Sequence, residues 1–206
     1  ASGPLLWVAP LALFLLTFVI VFQRRPLLRH GWMLNTQLLL ILGYMVVMVF
    51  NPPLGWGGEL VLHLAILFVT AMVAHGDLAR LRPSAAALTG FYLWMSLGGV
   101  LGGVFAALLA PLLFNSVAEY PILIVAGMLC RPSFTSLRPS RLQGAVLAGL
   151  AIVGAGALVS HEASRTDMVR SFFGVHRISE TPDGRFRILS HGSTVHGAQR
   201  LRQDDG

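Results

Sequence analysis

The chain is 206 residues long, 55% apolar and only 12% charged, with a mean hydropathy of +0.71. Soluble domains carry about 25% charged residues, so this composition excludes a soluble cytosolic enzyme and points to an integral membrane protein. All 15 basic residues are arginine, against 9 acids and a net charge of +6. They fall between apolar runs and in the tail, which makes them orientation signals and not nucleic-acid contacts.

Crossing the hydrocarbon core takes about 20 apolar residues, within about 17–25. In chain order, Leu5–Phe22, Met33–Phe50, Leu60–Val73, Leu88–Phe114, Val117–Cys130 and Gln143–Ser160 are the candidate spans. The fifth is short and starts near Pro121. The expected fold is therefore an all-α polytopic bundle of about six transmembrane helices over 1–160, followed by a water-facing tail over 161–206. Residues 1–160 hold 8 Arg and 3 acids, whereas 161–206 hold 7 Arg and 6 acids, which places the boundary near Ser160. The opening Ala1–Gly3 has no Met and no basic stretch, which predicts a processed or excised piece of a longer chain.

The loops alternate in charge. Arg24, Arg25 and Arg29 follow the first span, Arg80 and Arg82 the third, and Arg131, Arg138 and Arg141 the fifth. The opposite loops, Asn51–Gly58 and Asn115–Ala118, have none. The positive-inside rule then sets both the N-terminus and the tail outside; a re-entrant fifth segment would return the tail to the cytoplasm. Trp7, Trp32 and Trp56 lie near the expected interfaces, and Pro10 predicts a kink in the first span.

Few polar groups occur within the spans. His63 can ligate a haem or chlorin metal, relay protons, or hydrogen-bond a neighbouring helix as neutral imidazole. The last reading is favoured, because an axial ligand needs a second one. Asn35 and Gln37 read as interfacial capping groups, and His75, Asp77, Arg80 and Arg82 as an interfacial anchor. Gly98 and Gly102, with Gly99 and Gly103, form two small-residue rows that permit close helix approach, either to a partner subunit or within the bundle.

In the tail, Phe172–Ser179 and Arg185–Ser190 read as strands around Thr181-Pro182-Asp183-Gly184, a turn in which Pro presets φ and Gly accepts φ > 0. Phe186 and Ile188 alternate with Arg185 and Arg187, so one face is expected to be covered and one wet. The expected product is a small β-hairpin docked on something larger. His161, His176, His191 and His196 are scattered; His191 and His196 are expected on a loop without acid or cysteine neighbours, and Cys130 is alone, so no metal site is expected.

Several stretches carry a family likeness: Pro4–Leu13, His75-Gly76-Asp77-Leu78-Ala79 with Arg82-Pro83, Phe91–Gly99, Glu119-Tyr120-Pro121, Arg170–Val175 and His191–Gln199. In this order they resemble the bacterial spermidine synthase-like fused membrane proteins, in which a polytopic region precedes an aminopropyltransferase-type Rossmann domain. Gly90 stands where the family has an acid, and Ala106 where it has Asn. The resemblance implies that Gln199 matches a nucleoside-contacting Gln, and that the Gly-rich turn and the acidic base lie in a domain this sequence does not contain. The glycines at 98, 99, 102 and 103 sit in an apolar span and are not a nucleotide loop.

The expectation is a non-catalytic structural or accessory subunit of the bacterial inner membrane, with no cofactor, packed against other membrane subunits and lipid. The alternatives are the membrane half of an aminopropyltransferase and, with less support from the few ionisable residues, a transporter.

Overall fold

The structure is a computed structural model that describes residues 8–23, 27–50, 52–114, 117, 119–129, 149, 154, 168–171, 174–191 and 194–201. It is helical up to residue 129 and ends in an antiparallel sheet. The described residues divide into two units, one holding 4–91 and 121–158, the other 92–120 and 159–206. The division runs through the long apolar segment near residue 91 as well as near Ser160.

In the first unit, α1 (Val8–Val21), α2 (His30–Phe50) and α3 (Gly55–Arg80) pack together, α3 against both others. These helices are apolar on every side, as expected of buried or membrane-spanning helices. The core joins Ile41, Tyr44 and Met45 of α2 to Ile66 of α3 and to Ile124 and Met128 of the helix Glu119–Leu129. The last turn of α3 closes with the Leu81 N–H donating to the Asp77 carbonyl at 3.0 Å. Pro83 follows; it disfavours helical backbone in the residue before it and cannot donate, so the helix stops there.

In the second unit, a helical run over Ala85–Leu113, which starts in the first, continues through α4 (Leu88–Val104), a π-helical stretch at Phe105–Leu109 and α5 (Ala110–Leu113). The Ala110 N–H reaches back to the Phe105 carbonyl. Pro111 explains the widening, because its ring would meet the carbonyl four residues earlier and it has no N–H to donate. The helix Glu119–Leu129, α6, begins in this unit with Glu119 in its first turn.

Three helices are long and apolar enough to cross a membrane by length and composition: His30–Val47, Gly55–Arg80 and Ala85–Leu113. Among the described residues the other three of the six expected spans do not reach that length. The described parts of α1 and α6, 14 and 11 residues, rise about 21 and 17 Å at 1.5 Å per residue, and each borders residues outside the description. The sixth segment, Gln143–Ser160, lies outside the described residues apart from two isolated positions.

The tail is larger than the expected hairpin. β1 (Met168–Ser171), β2 (Gly174–Glu180), β3 (Phe186–His191) and β4 (Thr194–Arg200) form an antiparallel meander in that order. The central turn is the expected one. The Thr181 N–H donates to the Phe186 carbonyl at 2.9 Å, the Phe186 N–H donates to Thr181 Oγ1 at 3.0 Å, and Gly184 takes φ +66°. Phe186 and Ile188 are half-covered while Arg187 is exposed. With four strands the sheet no longer has the marginal stability of an isolated hairpin.

Candidate functional site

The buried polar groups of the first unit gather where α1 and α2 meet α3. Thr17 of α1 is fully buried and His75 of α3 is 5% exposed. The Thr17 hydroxyl donates to the Phe14 carbonyl at 2.6 Å, and its oxygen lies 2.8 Å from His75 Nδ1. With its one proton on Phe14, Thr17 can only accept from the imidazole, so the proton of this bond sits on Nδ1. Phe18 stacks on the ring at 3.6 Å and Phe14 meets it edge-on at 5.0 Å. A nucleophile needs a base to take its proton. Here the proton is directed away from the imidazole, so the pair is a structural bond between helices. The expected interfacial anchor at His75 is thus an interior contact.

A second polar contact lies two residues further along α3. His30 Nε2 of α2 approaches Asp77 Oδ1 at 3.0 Å, outside hydrogen-bond alignment, and Asp77 Oδ2 has no hydrogen-bond partner among the described residues. Gly76 permits the approach, since a Cβ there would come within 2.6 Å of His30 Nδ1. Gln37, read from the sequence as interfacial, is 1% exposed, and neither its amide nitrogen nor its oxygen has a hydrogen-bond partner among the described residues. His63 is half-buried in α3, and its ring meets Tyr44 of α2 edge-on at 5.6 Å. Tyr44 belongs to the core cluster, so His63 sits at a helix–helix contact.

In the second unit, a cleft of about 550 Å³ lies between the π-helical segment and the sheet, with Ala106, Ala107 and Pro111 on one wall and Arg170, Arg177 and His191 on the other. Ala106, where the resemblance expects Asn, contributes only apolar surface. Arg170 makes a two-pronged bond to Glu119, Nη1 to Oε2 at 2.8 Å and Nη2 to Oε1 at 2.7 Å. Both side chains are nearly buried, at 10% and 13% exposure. Hydrogen bonding to this carboxylate holds the Arg170 guanidinium above its ordinary pKa. Paired charges of this kind orient strand and helix and leave little net charge for a ligand.

His191 and His196 lie on β3 and β4, not on the expected loop. His176, His191 and His196 form a row across three strands, with ring centroids 5.0 and 5.9 Å apart. Among the described residues no group of three His, Cys, Asp or Glu side chains can hold a metal. Gln199 is exposed on β4 opposite Arg187, in a shallow depression with Ile178 and Leu189. Gly98, Gly99, Gly102 and Gly103 are exposed, and a Cβ at any of them would meet nothing within 4 Å.

The sequence reading passed over Thr17–His75 and Glu119–Arg170. Their available signals were a threonine inside an apolar span and an acid opening an apolar helix. Comparison with protein-family models, curated proteins and solved structures returns no match for this chain.

Proposed function

We propose that the chain is a structural or accessory subunit of an integral membrane assembly, related to the membrane region of the spermidine synthase-like fused proteins. The observation that carries this reading is the run Ala85–Leu113, 29 mostly apolar residues whose most apolar stretch is only 6% buried among the described residues. Leu93, Trp94, Val100, Leu101 and Leu112 all point outward from it. So large an apolar face requires lipid or another protein against it, and the row from Gly98 to Gly103 allows a partner helix to come close. Polar pairs such as Thr17–His75 and Glu119–Arg170 serve as scaffold bonds.

In its finer form, the proposal has six crossings of a bacterial inner membrane, arginine-rich loops inside and the sheet outside. The test pairs two measurements. Blue-native electrophoresis of gently solubilised membranes is expected to place the chain in a complex well above its own 22.2 kDa, and G99L/G103L is expected to dissociate it. Migration of both forms as a monomer overturns the assembly reading. For orientation, Ser179→Cys in a Cys130→Ser background is expected to react with an impermeant thiol reagent in intact cells; protection overturns an external tail.

A second reading is favoured by the family-like stretches from Pro4 to Gln199. In it, the chain is the membrane half of an aminopropyltransferase. A native polypeptide much heavier than 22.2 kDa, with aminopropyl transfer activity, would select it. Transport has less behind it, for want of ionisable groups along the spans.

A further inference from the structure

At the end of the first unit that carries arginine, α1, α2 and α3 enclose a cleft of about 310 Å³. Its walls are mostly apolar, formed by Ile20 of α1, Leu28 and Met33 around the start of α2, and Met72 of α3, with the His30 imidazole also lining it. At its edge are two exposed arginines, Arg29 just before α2 and Arg80 in the last turn of α3. Neither guanidinium has an ion-pair partner among the described residues. Asp77, the acid nearest Arg80 in sequence, is engaged with His30 at 3.0 Å and does not line the cleft. The site thus combines a narrow apolar slot between helices with two uncompensated cations at one end. Arg24, Arg25 and Arg82 add positive charge in the same loops of the sequence.

We propose that this cleft holds an anionic phospholipid, its acyl chain against Ile20, Leu28, Met33 and Met72 and its phosphate engaged by Arg29 and Arg80. The proposal rests on the membrane reading above. A soluble anion would satisfy the arginines but leave the slot without an occupant, and a neutral lipid would fill the slot but leave the charge unmatched. Only an anionic lipid matches both parts. Basic pockets between helices on the cytoplasmic side are suited to such headgroups, because the inner leaflet is negatively charged. The positive-inside rule sets these loops on that side. Gly76 contributes by letting His30 close the slot against α3.

The test is native mass spectrometry of the full chain in detergent with phosphatidylglycerol and phosphatidylcholine of identical acyl chains. Two near-surface arginines are expected to favour phosphatidylglycerol by about thirtyfold. R29Q/R80Q is expected to abolish that preference. R29K/R80K keeps both charges and is expected to retain most of it, which separates lost charge from misfolding; R187Q, on the sheet, is expected to change nothing. Inorganic phosphate at millimolar concentration is expected not to displace the lipid. Equal retention of the two lipids, an unchanged preference in R29Q/R80Q, or displacement by phosphate alone overturns the proposal, the last by identifying a soluble-anion site. Carbonate extraction of the source membranes is read in parallel. A chain released to the supernatant overturns the membrane reading itself, whereas a retained chain without lipid preference overturns only the lipid site.

Discussion

Thr17 and His75, 58 positions apart, share a buried 2.8 Å hydrogen bond that ties α1 to α3. The bond is directional, with the imidazole donating and the hydroxyl oxygen accepting. Removing the hydroxyl in Thr17→Val leaves a buried N–H unsatisfied, at an expected cost of about 1–3 kcal/mol. Thr17→Ser keeps the oxygen and is expected to stay within ~1 kcal/mol of the parent. Thermal unfolding in detergent distinguishes the two. Equal stability of the valine and serine variants would show that the hydrogen bond contributes nothing.

Gly76 and His30 make a steric pair. A methyl group at residue 76 would fall within 2.6 Å of His30 Nδ1, so Gly76→Ala must displace the ring from Asp77 and separate α2 from α3. Overpacking of this kind costs about 1–3 kcal/mol. In a double-mutant cycle, His30→Ala is expected to remove most of that cost, because the alanine then has space. Strict additivity of the two changes would mean that the clash is relieved elsewhere.

Gln37 gives a prediction of the opposite sign. Its amide is 1% exposed with no hydrogen-bond partner for nitrogen or oxygen among the described residues, and an unsatisfied buried polar group costs about 1–3 kcal/mol. Gln37→Leu is therefore expected to be neutral or stabilising, by up to that amount, in a thermal melt. Clear destabilisation would mean that the amide finds a partner in the intact membrane, whether lipid, water or another subunit.

These residues also show what the sequence could and could not disclose. The turn Thr181–Gly184 was readable because Pro182 and Gly184 impose local backbone geometry that no distant contact has to supply. β4 was not, because Thr194–Arg200 is exposed along its whole length and shows no alternation. β1 has only four residues, too few for a period. The π-helical stretch has a local cause in Pro111, but span-length reasoning does not register a one-residue widening. Hydropathy located the three long apolar helices, His30–Val47, Gly55–Arg80 and Ala85–Leu113, because an unbroken apolar run is a local property of the sequence. Thr17–His75 and Glu119–Arg170 depend on which helix and strand faces meet, and that is set by the whole fold. For His63 the sequence suggests a hydrogen bond to a neighbouring helix, and the contact the structure gives is an edge-on meeting with the Tyr44 ring of α2.

Glu119 and Arg170, 51 residues apart, are joined by two bonds of 2.8 and 2.7 Å. Hydrogen bonds to charged groups contribute about 1.5–3 kcal/mol, and removing one partner strands the other. Arg170→Ala is expected to destabilise the sheet-bearing unit by at least that amount, while Arg187→Ala, whose partner Glu180 is half-exposed, is expected to cost under ~1 kcal/mol. Hydrogen exchange of the β1 and β2 amides reads the difference. Equal protection in both variants would leave the buried pair with no special role.

The Asp183 carboxylate accepts from the Thr181 hydroxyl and from the Arg185 N–H, and these bonds hold its pKa below the ordinary aspartate value. Because the folded pKa is the lower one, the stabilisation is complete above the unfolded carboxylate's pKa and is lost as pH falls through the folded value. Exchange of the Gly184 and Phe186 amides is therefore expected to quicken on acidification below the usual aspartate range, and to be flat from there to neutral pH after correction for intrinsic exchange. Asp183→Asn removes the ionisation and should flatten the acid limb while leaving the Thr181–Phe186 bonds in place. An acid limb that persists in Asp183→Asn would assign the effect to another carboxylate, for which Glu180, opposite Arg187 in the register, is the nearest candidate on these strands.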